Sequence, residues 1–198
     1  MCFATDLTAR VAARFEHVRI AYAGNSSALK SSLPPKVSWS EQPTGDLGAR
    51  LDSKFYEAFA DGYSPIIALG IDSPSLPIKY VDDAISAMEQ GSDSVLGPTD
   101  DGGYYLIGLR TYTPGLFAGI AWSTDSTYTD TARNMDACKL IRLELPPWYD
   151  VDVIEDLVRL KRDVRTNSTL QIELPHTSAW LSRHTLPDTI SERLDIDV

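Results

Sequence analysis

Residues 94–109, S-V-L-G-P-T-D-D-G-G-Y-Y-L-I-G-L, constrain this chain more than any other stretch, because an acidic, glycine-rich bend joins two apolar runs. Val95–Leu96 and Tyr104–Leu109 carry the branched and aromatic residues that suit a pleated, largely buried surface. Asp100, Asp101, Gly102 and Gly103 lie between them. Steps such as D-G and G-G are ordinary hairpin chemistry, and that is the structural explanation of the bend. Two adjacent carboxylates are nevertheless costly unless solvent, a cation or hydrogen-bond donors receive them, and paired glycines let a backbone approach a ligand closely. The segment reads as a strand pair that carries a functional loop.

Helix and strand patterns alternate around this stretch. Leu7, Val11 and Phe15 recur at helical spacing over Thr5–Phe15, and His17–Ala23 alternates as a strand. Residues 25–35 read as a polar loop and Lys36–Ser40 as a weak strand. From Gly45, Leu47, Leu51, Phe55, Ala58 and Phe59 share one helical face, which Gly62 terminates. Pro65–Ile71 is a continuous apolar run, the mark of a strand buried on both faces of a parallel sheet. Val81, Ala84, Ile85 and Met88 predict the next helix, Ser123–Ala137 another, and Lys139–Leu145 a strand. Val153–Val164 is amphipathic, with Val153, Leu157 and Leu160 expected to face inward. Such alternation predicts a three-layer α/β/α sandwich on a Rossmann-like, mostly parallel sheet. We expect one domain over residues 1–165, then a loosely packed tail, 166–198, with one short helix around Ser178–Arg183.

Charge and cysteine usage narrow the functional classes. A net charge of −10 on 198 residues disfavours nucleic acid and anionic membranes as partners, since both need clustered Lys and Arg, and it favours a divalent cation. Cys2 and Cys138 form neither a C-x-x-C pair nor a disulfide framework, and the sequence holds no signal-peptide core and no long apolar run. A reduced, cytoplasmic protein without membrane insertion is expected. His17, His176 and His184 are scattered, which argues against a zinc site.

Ligands of open α/β sheets sit beyond the carboxyl ends of the strands, and three acidic features fall at such ends. Asp72 follows the most apolar strand, Asp100 and Asp101 follow the strand at Val95, and Asp150-Val151-Asp152 follows the strand at Leu143 after a Pro-Pro-Trp-Tyr link. Each has a local explanation: Asp72 can open the turn before Pro74, and Asp152 with Glu155 fits a helix capping box. Their joint occurrence at three strand ends points instead to Mg²⁺ or Mn²⁺ held against phosphate oxygens.

Five segments together resemble a glycosyltransferase-A-like family of small bacterial proteins: G-D-L-G-A-R-L (45–51), L-G-I-D-S-P-S-L-P (69–77), V-L-G-P-T-D-D-G-G-Y-Y-L-I-G-L (95–109), W-S-T (122–124) and D-V-D-x-x-E-D-L (150–157). Its relatives include sugar-nucleotide transferases, molybdenum-cofactor nucleotidyltransferases and phospholactate guanylyltransferases. The resemblance implies a nucleotide-diphospho-sugar transferase fold in which Asp72, Asp150 and Asp152 hold the metal. It further implies that Gly102 and Gly103, with Tyr104 beside them, offer backbone N–H groups to phosphate or acceptor, and that Ser123 and Thr124 line the same cleft. Asp100 or Asp101 would act as acceptor base. The expected activity is metal-dependent transfer from a nucleotide or sugar-nucleotide donor to a small-molecule acceptor. Nucleotidyl transfer with release of pyrophosphate is an alternative, as is a non-catalytic binding module; homo-oligomerisation is left open.

In that family a strand and its nucleotide loop precede the point aligned with Met1, so the sheet here is expected to lack its first strand. Either the strands at His17–Ala23 and Pro65–Ile71 close up and pair, or the chain is a shortened form of a longer product.

Overall fold

The computed structural model describes residues 1–186. Its elements run α1 (Cys2–Arg14), β1 (Arg19–Tyr22), α2 (Ser27–Ser32), β2 (Ser38–Glu41), α3 (Leu47–Ala60), β3 (Ile66–Leu69), α4 (Ile78–Glu89), β4 (Ser94–Pro98), β5 (Tyr104–Leu109), α5 (Thr127–Ala137), β6 (Arg142–Glu144), α6 (Ile154–Thr166), α7 (Ser168–Glu173) and α8 (Pro175–Arg183). The main sheet has the order β3-β5-β4-β6. β5 is antiparallel to β3 and β4, whereas β6 is parallel to β4, so three of its four strands share one direction. β1 and β2 form a separate parallel pair.

Period-two alternation along the strands builds the three layers. Leu96, Ile107 and Leu109 pack with Phe55 of α3 and Ala132 and Met135 of α5. Val95, Leu106 and Tyr105 pack with Val81, Ala84 and Met88 of α4. Tyr105 and Leu106 thus fall on the same side, because the register shifts opposite Gly97 and Pro98 and Tyr105 is the extra residue of a β-bulge. The Tyr105 ring lies across β4: a Cβ at Gly97 would sit 2.4 Å from it, and its hydroxyl donates to the Pro146 carbonyl at 2.9 Å. The bulge ends the ladder immediately before the Asp100–Gly103 bend.

Within its helices and strands the structure departs from the sequence reading as follows. Residues 27–32 are helical, seeded by the Asn25 carboxamide oxygen, which accepts from the Ser27 backbone N–H and hydroxyl. Residues 123–126 turn rather than helix, since Thr124 and Thr127 bond locally to the Ala121 carbonyl and Ser123 adopts φ 60°. β3 is half-buried at the end of its sheet beside an antiparallel neighbour, not enclosed between parallel ones. Val153 is 54% exposed, because it precedes the first turn of α6, while Val158, Leu160 and Val164 take the inward positions. Residues 166–186 hold two helices rather than one, and they are docked, not loose. Buried Asp6 of α1 accepts the His176 and Thr177 N–H groups at 3.2 and 2.7 Å, which caps α8, and Leu174 and Leu181 complete a third cluster with Tyr149 and Leu160. The rest of the expected tail, 187–198, lies outside the described residues.

β1 and β3 do not pair. The two-stranded unit is instead tied to α3 by side chains, through Arg19 with Asp61 at 2.8 Å and Lys54 with Ser40 and Glu57. Among the described residues no helix is long and apolar enough to cross a membrane.

Candidate metal and substrate site

The site is assembled by backbone pairing beyond the strand ends. After β6, the chain stays beside β4: the Leu145 N–H donates to the Leu96 carbonyl, and the Trp148 N–H to Pro98. Three residues on, the Val151 N–H donates to the Asp72 carbonyl at 3.0 Å. This bond brings the 150–152 segment against the loop after β3. Oxygen atoms of Asp72, Asp150 and Asp152 consequently lie within 4.8 Å of one another.

Local explanations for these carboxylates are weak. The first turn of α6 is capped by Asp156, whose Oδ2 accepts the Asp152 and Val153 N–H groups at 3.2 and 3.1 Å, so Asp152 is not the capping residue and Glu155 not the capping-box partner expected from sequence. Gly70, in the L-G-I-D-S-P-S-L-P segment, leaves room for Asp72: a Cβ there would lie 2.7 Å from the Asp72 Oδ1 and push that carboxylate aside.

Electrostatics mark the cluster as strained without a cation. Asp150 is pushed up to about 6, first by desolvation, then by repulsion from Asp101, Asp152 and Asp72. Asp72 is also raised above the ordinary carboxylate range; it is exposed at its surface, but the protein beneath desolvates it, and Asp152 and Asp101 repel it. Three carboxylates whose oxygens come this close, two of them raised in pKa, are a donor set for a hard divalent ion, and an all-oxygen site fits Mg²⁺ or Mn²⁺.

The neighbouring bend is built differently. Asp101 turns its Oδ1 back to the Thr99 hydroxyl at 2.5 Å and the Gly103 N–H at 2.9 Å. Asp100 pairs with Arg159 at 2.9 Å, and that guanidinium stacks 3.8 Å above the Tyr149 ring. Arg159 therefore bridges the residues preceding Asp101 and Asp150, a role its place on an amphipathic helix did not reveal. Gly102 has φ +93° and a Cβ there would fall 2.2 Å from the Asp125 carbonyl oxygen, while its own carbonyl accepts the Tyr128 N–H at 2.8 Å. The bend is thus clamped onto the loop that holds Ser123 and Thr124. Gly102 donates to the Thr99 carbonyl at 3.4 Å, so both glycine N–H groups are engaged within the bend. Tyr104 points its ring into the core beneath α5, where burial pushes its hydroxyl well above the ordinary range. Of the expected site residues, the structure brings together Asp72, Asp150 and Asp152 with Asp101 near, and sets Tyr104 apart.

Comparison with known proteins agrees with this architecture. Residues 6–124 match a family described as uncharacterized protein conserved in bacteria (DUF2064). Among solved structures, a protein from Desulfovibrio desulfuricans G20, provisionally named a nucleotide-diphospho-sugar transferase, superposes with TM-score 0.78 at 31% identity, over 92% of this chain and 84% of that one. A cytidylyltransferase from Leptospira borgpetersenii shares the fold at 16% identity and TM-score 0.53, over 94% and 87% of the two chains. Rv0371C from Mycobacterium tuberculosis H37Rv, solved in complex with manganese, does so at 18% and 0.50, over 81% and 86%. No curated protein matches the chain.

Proposed function

The chain belongs to the bacterial family DUF2064, and from that footing we propose that it is a metal-dependent transferase of the glycosyltransferase-A type, taking a nucleotide or sugar-nucleotide donor and a small-molecule acceptor. The observation that carries this reading is the convergence of Asp72, Asp150 and Asp152 beyond the sheet, with oxygens within 4.8 Å. A divalent ion bound there would neutralise charge that develops on a leaving diphosphate.

The chain's own residues divide the remaining work. Asp72, Asp150 and Asp152 hold the ion, and their mutual repulsion is relieved when it binds. Asp101 is the better candidate for acceptor base, because it lies close enough to raise Asp72 and Asp150, whereas Asp100 is ion-paired to Arg159. Gly102 and Gly103 fix the bend that aims Asp101, and Ser123 and Thr124 border it. The test is incubation with labelled nucleoside triphosphates and sugar nucleotides, with and without Mn²⁺. Metal-dependent release of a nucleoside diphosphate or monophosphate supports the reading, pyrophosphate release moves it to nucleotidyl transfer, and failure to bind any nucleotide with Mn²⁺ leaves a non-catalytic module.

A further inference from the structure

Asp72 leads into a buried turn, residues 73–76, and the placing of that turn decides where its carboxylate meets Asp150 and Asp152. One set of ties comes from the segment that carries the other two acids: the Val151 N–H donates to the Asp72 carbonyl at 3.0 Å, and the Trp148 indole N–H to the Ser75 hydroxyl at 3.3 Å. A separate tie comes from Arg10 of α1, whose Nη1 donates to the Pro74 carbonyl at 2.8 Å across 64 residues of chain. The same guanidinium places its Nη2 2.8 Å from the Glu173 carboxylate of α7. Asp6, one turn earlier on the same face of α1, caps α8. One helical face thus links α7 and α8 to the turn after Asp72.

Arg10 is better suited to holding a position than to adding stability. Its side chain is 10% exposed, and its Nε is buried without a hydrogen-bond partner. A nearly buried cation is costly to keep, and an apolar side chain of similar volume is often neutral or stabilising in its place. What the guanidinium supplies and an apolar residue does not is a rigid fork, with one donor on a turn carbonyl and another on a carboxylate. The turn has little of its own to substitute for that fork: its internal backbone bond runs from the Leu76 N–H to the Ser73 carbonyl, and the Ser73 hydroxyl is buried without a partner. We infer that Arg10 is a positioning residue for the metal cluster, fixing the turn after Asp72 while Glu173 orients the guanidinium. Without the tether the Asp72 carboxylate drifts from Asp150 and Asp152, and an ion that needs its oxygens at set distances binds less tightly. This rests on the metal reading of that cluster and goes beyond it, since Arg10 bonds the turn backbone and Glu173 rather than the three carboxylates.

The experiment is calorimetric titration of the whole chain with Mn²⁺, alongside metal-free thermal unfolding, for wild type, Arg10→Met and Arg10→Lys. Arg10→Met keeps an apolar stem and removes the fork: Mn²⁺ affinity should fall roughly 10-fold, with the metal-free melting temperature close to that of wild type. Charge alone gives the opposite sign, because removing a cation near an acidic site favours Mn²⁺. Arg10→Lys, which keeps a cation able to donate to the Pro74 carbonyl, should lie between the two. Amide hydrogen exchange at Val151, whose N–H rests on the Asp72 carbonyl, should quicken in Arg10→Met. Should that variant not fold, Glu173→Ala, at a side chain 43% exposed, frees the guanidinium instead, and unchanged exchange at Val151 then overturns the inference. A wild type that binds no Mn²⁺ overturns the metal reading and this inference together. A wild type that binds Mn²⁺, with Arg10→Met equal to it or tighter, overturns the inference alone, whatever happens to the melting temperature.

Discussion

Two acidic groups meet at the ends of the strands, and the fold treats them oppositely. In the Asp100–Gly103 bend the carboxylates are answered from within: Asp101 by Thr99 and Gly103, Asp100 by Arg159. At Asp72 and Asp150, burial and repulsion from neighbouring carboxylates outweigh the backbone hydrogen bond each accepts, and both are raised. The lesson is that carboxylate density alone does not mark a metal site. Carboxylates that already have protein donors shape a loop; those left opposing one another await a cation.

The sharpest way to break this comparison is to attack the bend where it is most tightly built. Gly102→Ala would press a Cβ into the Asp125 backbone at a positive φ, and should cost roughly 2–4 kcal/mol of stability. Thermal unfolding followed by circular dichroism measures this; a melting temperature within a degree of wild type would show that the bend is not a structural clamp.

The metal side is broken by Asp150→Asn, which keeps shape and removes charge. Mn²⁺ affinity should fall roughly 100-fold, while the metal-free variant should be no less stable than wild type, since a repelled charge is gone. Calorimetry that finds wild-type Mn²⁺ affinity both in this variant and in Asp72→Asn would remove the metal site and put both acidic groups in one class.

Acidity sharpens the contrast further. The native carboxyl of Asp150 titrates at about 6, above the ~3.9 of an unfolded Asp. Between those values the native state binds the extra proton, so this residue's contribution makes the metal-free protein less stable as pH rises from ~4 to ~6 and leaves it level above. An ion must displace that proton, so the rise in melting temperature on adding Mn²⁺ should be larger at pH 7.5 than at pH 5. Equal rises at the two pH values would contradict the assignment of Asp150 as a ligand.

The smallest effect is expected from Arg159→Ala. Its pair with Asp100 is largely exposed, so the stability loss should stay at or below ~1 kcal/mol. If Asp100 then begins to compete for the ion, Mn²⁺ titrations will gain a second, weaker event; a single unaltered event means that Arg159 only decorates the bend.

Much of the fold was legible because it is written in near-neighbour patterns. Helical spacing over Leu51 and Phe55, strand alternation at Val95–Leu96, and carboxylates after the strands at Leu69 and Leu143 all report local geometry. The short α2 was hidden in a polar stretch, where Asn25 rather than an apolar face starts the helix. The docking of residues 166–186 was hidden for a different reason. Asp6 and Thr177 are 171 positions apart, and an aspartate in an amphipathic helix carries no sign that it will cap another one.

The sequence by itself determined the alternation of helices and strands, the acidic character of the strand ends and the need for glycine in the central bend, because each follows from a residue and its nearest neighbours. Only the tertiary structure decided which acids converge. That choice rests on the Val151 to Asp72 backbone bond, on the bulge at Tyr105 that ends the β4–β5 ladder, and on Arg159 reaching Asp100 across 59 residues of chain. Contacts of that kind are closed by the packing of whole layers, and no local pattern records them.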